Sequence, residues 1–337
     1  MTPTTHTRPL RRRLLHAALA CLATAVTTLP SHATESAAAY PSKPIRFVVP
    51  FTAGGLTDRL ARVVAHDLQQ AWGQPVIVEN RPGAGGTIAA DHVAKSPGDG
   101  YTLLLGTHAT HAINVSLMKS LPYDAVNDFV PVSLLATVPN LLMLHPSVPA
   151  TSVAELIALA KREPGTLNFT SQGIGTSGHM SGELLKSLTG IDMVHIPGRG
   201  PAQAINDLVG GHADILFDSV ASGAPLVRSN KVRALAVTGK ERSATLPELP
   251  TMVEAGVPDY EMVLWFSVFA PRGTPADIVA KLNQAIVRSM NDPTTRATFI
   301  KDGLSVAAST PEGLADFQRT EIAKWARLIR EAGLQPS

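Results

Sequence analysis

The chain has 337 residues, of which 45% are hydrophobic and 17% charged, with 26 glycines and 26 prolines. That is long enough for two ordinary domains with a core each, and too apolar and too mixed for a disordered or fibrous protein. The formal charge of +2 resides in residues 1–33, which carry four arginines and no acid; without them the charge is −2, and a near-neutral chain without basic clusters excludes an electrostatic footprint for nucleic acid.

Arg8, Arg11, Arg12 and Arg13 precede an apolar, alanine-rich run over 14–29 and then Ser31-His32-Ala33. This is the pattern of a secretory signal peptide over 1–33, cleaved after Ala33, with 37–39 as a second candidate. The uninterrupted apolar stretch is shorter than the roughly 20 residues of a spanning helix. Arg11-Arg12 loosely resembles a twin-arginine signal, and Ala18 to Cys21 a lipoprotein box, but Cys21 stands inside the apolar run, so anchoring through it is not expected. Cys21 is the sole cysteine. The exported, periplasmic chain therefore has no disulfide, thiol nucleophile or thiolate metal site.

After Tyr40, strand and helix patterns alternate, which predicts parallel sheets with crossover helices. Residues 45–49 read as a strand, and Leu60, Val63, Val64 and Leu68 mark one face of the following helix. Residues 76–78 and 101–105 are strands separated by a glycine loop over 82–86 and a helix. Residues 130–136 and 141–144 read as two strands, with Pro139 as a crossover point. The scheme then restarts: helix 153–162, strand 167–170, helix 180–188, strand 194–196, helix 202–209, strand 213–217 and return strand 232–237. A proline-rich connector over 246–258 leads to strand 263–270 and two closing helices, 276–290 and 311–332. Leu314, Phe317, Trp325 and Ile329 form a core stripe on the last. Trp265 is the tryptophan best placed to line a cleft.

The expected fold is α/β: two domains of the periplasmic binding protein kind (type II-like), each a mostly parallel sheet flanked by helices, with a cleft between them. Domain 1 covers 41–140 and 246–337 and domain 2 covers 141–245. Ligands of such sheets bind outside the carboxyl ends of strands, where the glycine loops lie, and clefts between domains are favoured sites.

Two glycine loops dominate the candidate chemistry: VVPFTAGGLTDRLAR over 48–62 and FTSQGIGTSGHM over 169–180. Residues 173–178 spell GxGxxG, yet Asp192 precedes the next strand instead of ending it, which argues against a dinucleotide. Neither loop has the lysine of a Walker-type phosphate site. Both offer backbone N–H groups ahead of a helix N-terminus, supplemented by hydroxyls of Thr52, Thr57, Ser171, Thr176 and Ser177. That donor set suits a carboxylate that must be released again. Asp58 reads first as a helix cap, and Asp218 equally as a cap or as a cleft residue. His108 and His111 lack a third metal ligand at a recognisable spacing. His179 has no nucleophile elbow to serve. No paired acid and base demands an enzyme, and no cofactor or metal is called for; the competing reading is a hydrolase-like cleft enzyme using His179 or Asp218.

The ordered blocks VVPFTAGGLTD, VIVENRPGAGGTIAADHVAKSPGDGYTLLLG, DFVPVSLLATVPNLLMLHPSVPA, PGTLNFTSQGIGTSGHMSGELL, HIPGRGPAQAINDLVGGHADILFD and VRALAVTGKERSATLPELPTMVEAGVP resemble the extracytoplasmic solute receptors of the tripartite tricarboxylate transporter system, the Bug receptors, over nearly the whole mature length. The resemblance implies a monomeric periplasmic receptor that closes on a small organic acid without transforming it and delivers it to transporter subunits or a sensor protein. It places Phe51, Thr52, Ala53, Gly54, Gly55, Thr57 and Asp58 on one side of the ligand. On the other it places Ser171, Gly173, Gly175, Thr176 and Ser177, with Thr107, Ala109 and Asp218 nearby. Where family members often carry an aromatic residue and a lysine, this chain has Gly198, expected to widen the pocket, and Arg199, a candidate cation.

Overall fold

Ile45, Phe47, Val48 and Val49 are fully buried in β1 (Ile45–Val49), as expected of a β-branched run covered on both faces. The computed structural model describes residues 1–2, 37–301, 303–331 and 333–334; the signal-peptide reading and Cys21 lie outside them. The further strands are β2 (Val76–Asn80), β3 (Thr102–Thr107), β4 (Phe129–Leu144), β5 (Asn168–Ser171), β6 (Val194–Pro197), β7 (Ile215–Ser219), β8 (Arg233–Val237), β9 (Val263–Pro271) and β10 (Ser305–Val306). Among the described residues no helix is long and apolar enough to cross a membrane.

The strands follow the order β2-β1-β3-β9-β4-β7-β5-β6, with β10 and β8 also pairing to β4. Pairing is parallel within β2-β1-β3 and within β6-β5-β7. The strands that pass between the halves pair antiparallel, β9 with β3 and β4, and β4 with β7 and β8, and β10 is also antiparallel to β4. β4 is thus shared by both halves, and its partner changes from β9 at Pro139 to β7 at Asn140.

This corrects the reading of residues 130–144 as two strands: β4 is one 16-residue strand. Pro131 adjoins a register shift against β9, and Pro139 ends the β9 ladder. A missing N–H costs little where the ladder is already interrupted. The change of partner is braced by Thr238, which exchanges backbone bonds with Asn140 and Met262; its Oγ1 also accepts from Asn140 N (2.7 Å) and donates to Met262 O.

The helix Leu56–Trp72 buries Leu60, Ala61, Val64, Ala65 and Leu68 and stops at Gly73, whose φ of 66° lets its N–H reach Gln69 O in a left-handed C-cap. Helix Ser177–Thr189 ends the same way at Gly190. Among the described residues, helices that escape the sequence patterns include Val220–Arg228, which contains Pro225, Pro293–Lys301 and the short Asn114–Leu117. Pro225 sits in the interior of Val220–Arg228, where it withholds the N–H that Ala221 O would accept in an unbroken helix.

Trp265 does not line the cleft. Its side chain is fully buried and its indole N–H donates to Glu321 Oε2 (3.1 Å), which also accepts from Trp325 Nε1 (3.1 Å). Strand side chains alternate in direction, so its neighbours Leu264 and Phe266 face the opposite way.

Candidate functional site

The first glycine loop is shaped by Asp58. Its carboxylate accepts from Gly54 N (2.9 Å), Arg62 Nε (2.9 Å) and Asn80 Nδ2 (3.0 Å), while Asn80 also donates to Phe51 O. Burial pushes the Asp58 carboxyl upward, but these bonds outweigh it and hold it below its ordinary range. Gly54 needs its φ of 85° to present that N–H, a backbone region that penalises side chains. Asp58 therefore braces the loop. The N-cap of the following helix, Gly55, supplies no side-chain hydrogen bond, and an α-helix leaves its first N–H groups without intrahelical acceptors.

The second loop repeats the arrangement from other parts. Ser171 Oγ contacts Gly173 O (3.0 Å), Gly173 N (3.1 Å) and His195 Nε2 (2.8 Å), and Thr176 Oγ1 donates to Gly173 O (2.7 Å). Gly175 N donates to His179 Nδ1 (3.1 Å), and the His179 ring stacks on His195 at 4.1 Å, itself stacked on Phe169 at 4.7 Å. Burial, with the neighbouring His195 and Lys186 adding to it, lowers His179 to about 3, so its neutral ring can accept the Gly175 N–H. Thr176, the N-cap of helix Ser177–Thr189, makes no capping bond.

A third loop follows β3, where Thr107 N donates to Thr110 Oγ1 (3.0 Å) and the chain enters a π-turn over Ala109–Ile113, a local widening common at functional sites. His108 is buried there and held down to about 4 by burial and by Lys324; its Nδ1 has no hydrogen-bond partner.

These loops converge on a cavity of about 480 Å³. Of the residues singled out from sequence, Phe51, Thr52, Gly55, Thr57, Thr107, Ala109, Gly175, Thr176, Ser177 and Asp218 line it. Ala53, Gly54, Asp58, Ser171, Gly173, Gly198 and Arg199 are not among the lining residues. The last two depart from expectation. A Cβ at Gly198 would lie 2.6 Å from Ser171 O, so the glycine admits a backbone contact (Gly198 N to Ser171 O, 3.0 Å) instead of widening the cavity. Arg199 is exposed, and its N–H is taken by Gln203 Oε1 (3.1 Å). Lining residues that the sequence reading missed include Leu56, Gly85, Asn114, Gln172, Ile174, Pro201, Leu264 and Phe266. Gln172 and Ile174 were visible inside the second loop, whereas Leu264 and Phe266 needed the pleat parity of β9. A larger groove of about 840 Å³ between helices Leu56–Trp72 and Ala276–Asn291 shares Arg62 with the stretch 48–62 but none of the residues that line the 480 Å³ cavity. Among the described residues no cluster of His, Cys, Asp or Glu could hold a metal ion.

Asp218 stands next to last in β7, with Ser219 N donating to its Oδ1 (2.7 Å). Burial pushes its carboxyl up to about 6, against the ordinary 3.8. A folded-state value above the unfolded one means that folding favours the protonated form. The ligand-free protein is therefore expected to lose stability as pH rises from about 4 to about 6, by on the order of 3 kcal/mol. Denaturant midpoints across this range check it: Asp218→Asn should gain on the wild type as pH rises, and a constant gap between the two would refute the assignment.

The model of the tripartite tricarboxylate transporter family receptor matches residues 60–334. The chain belongs to this receptor family. Protein BugT of Bordetella pertussis is 39% identical over 316 residues, covering 94% of this chain and 97% of BugT. Among solved structures, an R. palustris protein with adipate superposes with a TM-score of 0.81 at 39% identity, covering 88% of this chain and all of the other. MatC from Rhodopseudomonas palustris with bound malate gives 0.77 at 35%, covering 86% and 100%, and periplasmic binding protein BugD gives 0.77 at 34%, covering 88% and 99%. The receptor thus shares the two-domain cleft architecture of periplasmic solute-binding proteins. Its family and these neighbours are solute receptors, and the family's members are periplasmic.

Proposed function

We propose that the receptor binds a small carboxylate between its two glycine loops in the periplasm, without transforming it, and delivers it as a monomer to a tripartite tricarboxylate-type transporter or a signalling partner. The observation that carries this reading is the pair of helix N-termini, at Gly55 and Thr176, that lack side-chain caps and line one cavity. Each offers backbone donors and partial positive charge to an anion. The adipate and malate bound by the neighbouring structures agree with such a ligand. Closure would swing 141–245 against 41–140 and 246–337 about the partner change in β4. Only contacts that differ between open and closed forms can drive it.

The competing reading, a hydrolase-like enzyme, needs a nucleophile and base together in the cavity. Ser171 and His195 form a hydrogen-bonded pair at 2.8 Å, but neither lines the cavity, and His179 is committed to Gly175. Thermal-shift screening of short mono- and dicarboxylates, adipate and malate included, is expected to raise the melting temperature by several degrees for at least one. NMR of that acid after overnight incubation should show it unchanged; its consumption would overturn the receptor reading.

A further inference from the structure

Donors come from the two helix N-termini and Arg59 also lines the cavity, while the wall at the end of β7 holds Asp218 and Gln172 beside Ser219 and Ser222, whose hydroxyls bond to each other (2.9 Å). Asp218 is only 7% exposed; one carboxylate oxygen takes the Ser219 N–H, and Oδ2 has no hydrogen-bond partner. Gln172 stands beside it, near enough to favour the ionised carboxylate, yet no bond of ordinary geometry reaches Oδ2. The Gln172 amide is oriented by Nε2 donating to Phe217 O (3.4 Å), which fixes Oε1 as the other end, and Oε1 is also buried without a partner. A reversed amide would set two oxygens against each other. Gly178 holds this side chain in a tight place, since a Cβ there would come within 2.7 Å of both Gln172 Oε1 and Phe217 O. Buried acceptors without donors are costly and uncommon. Two of them on one wall of a cavity point to a donor that arrives with the ligand.

We propose that the ligand carries, beside its carboxylate, a hydrogen-bond-donating substituent, hydroxyl or ammonium, that is read by Asp218 Oδ2 with Gln172 Oε1. This rests on the carboxylate reading above and narrows it to substituted acids. The loops hold the carboxylate, and the β7 wall discriminates, because an unsubstituted acid buries the same acceptors without satisfying them.

The test is calorimetric titration of the purified protein at pH 7.5 with three matched four-carbon diacids, succinate, malate and aspartate, and with adipate and 2-aminoadipate as a longer pair. The substituted member of a pair should bind at least about tenfold more tightly than the plain one. In Asp218→Asn that ratio should collapse to below about threefold for the amino acids, and in Asp218→Ala for the hydroxy acid as well. An ammonium ligand loses its preference in both variants, whereas a hydroxyl ligand keeps part of it in Asn, which retains an acceptor. Equal affinity for plain and substituted acids in the wild type, or a ratio unchanged in both variants, overturns the inference while leaving the carboxylate reading standing. If no acid in the series binds, both fall together.

Discussion

Replacing Gly55 by phenylalanine is expected to remove ligand binding while leaving the fold intact. Gly55 has φ −74° and ψ 174°, extended backbone open to any residue, and a Cβ there would meet nothing closer than Thr52 O at 3.7 Å. The new ring therefore costs the folded protein little, yet Gly55 lines the cavity beside the uncapped helix N-terminus. Affinity for an acid found by thermal shift should fall more than about 100-fold, with the unliganded melting temperature within about 3 °C of wild type. Gly55→Ala should cost far less, since a methyl group is small against the cavity. Gly175→Ala behaves differently, because φ is 76° and the added Cβ would lie 2.7 Å from Leu117 Cδ2; it should lower stability by about 1–2 kcal/mol as well. Calorimetry with differential scanning fluorimetry separates the two, and wild-type affinity in Gly55→Phe would sink the two-loop site.

Trp265→Ala is expected to have the opposite profile. It empties a fully buried site and removes one of the two indole donors that serve Glu321. A loss of about 3–5 kcal/mol follows from cavity formation, and a melting temperature lower by roughly 10 °C. Because the side chain points away from the cavity, affinity at a temperature where the variant is folded should change by less than about threefold. Phe266→Ala, one residue along and on the other face, should instead weaken binding. If Trp265→Ala hurt affinity more than stability, the assigned parity of β9 would be wrong.

Much of the fold was legible because local patterns and tertiary outcome agree. The buried residues of the Leu56–Trp72 helix fall near the predicted face, and both glycine loops do run from a strand into a helix. Where the reading failed, the deciding partner was distant in sequence. Pro139 looks like a break when read locally, but β4 continues through it because the ladder changes partner there. Trp265 looks like a cleft residue by its position on β9, and its direction is set by the pleat and by Glu321, 56 residues away. Gly198 looks like missing bulk, and its meaning is a close approach to Ser171. At Asp58, a place in the first helical turn was readable, though its bond from Asn80, which also donates to Phe51 O, was not.

The sequence by itself determined the α/β alternation, the two glycine turns before helices and the family blocks, since these depend on periodicity, backbone freedom and residue order. Only the tertiary structure decided which residues of those loops face a common cavity and which brace it from behind. It also decided that Asp218 and Gln172 share a wall on which Asp218 Oδ2 and Gln172 Oε1 have no hydrogen-bond partner. Such facts arise from pairing across β4, β5 and β7, where one residue of register or one change of partner redirects every side chain, and no local pattern carries that information.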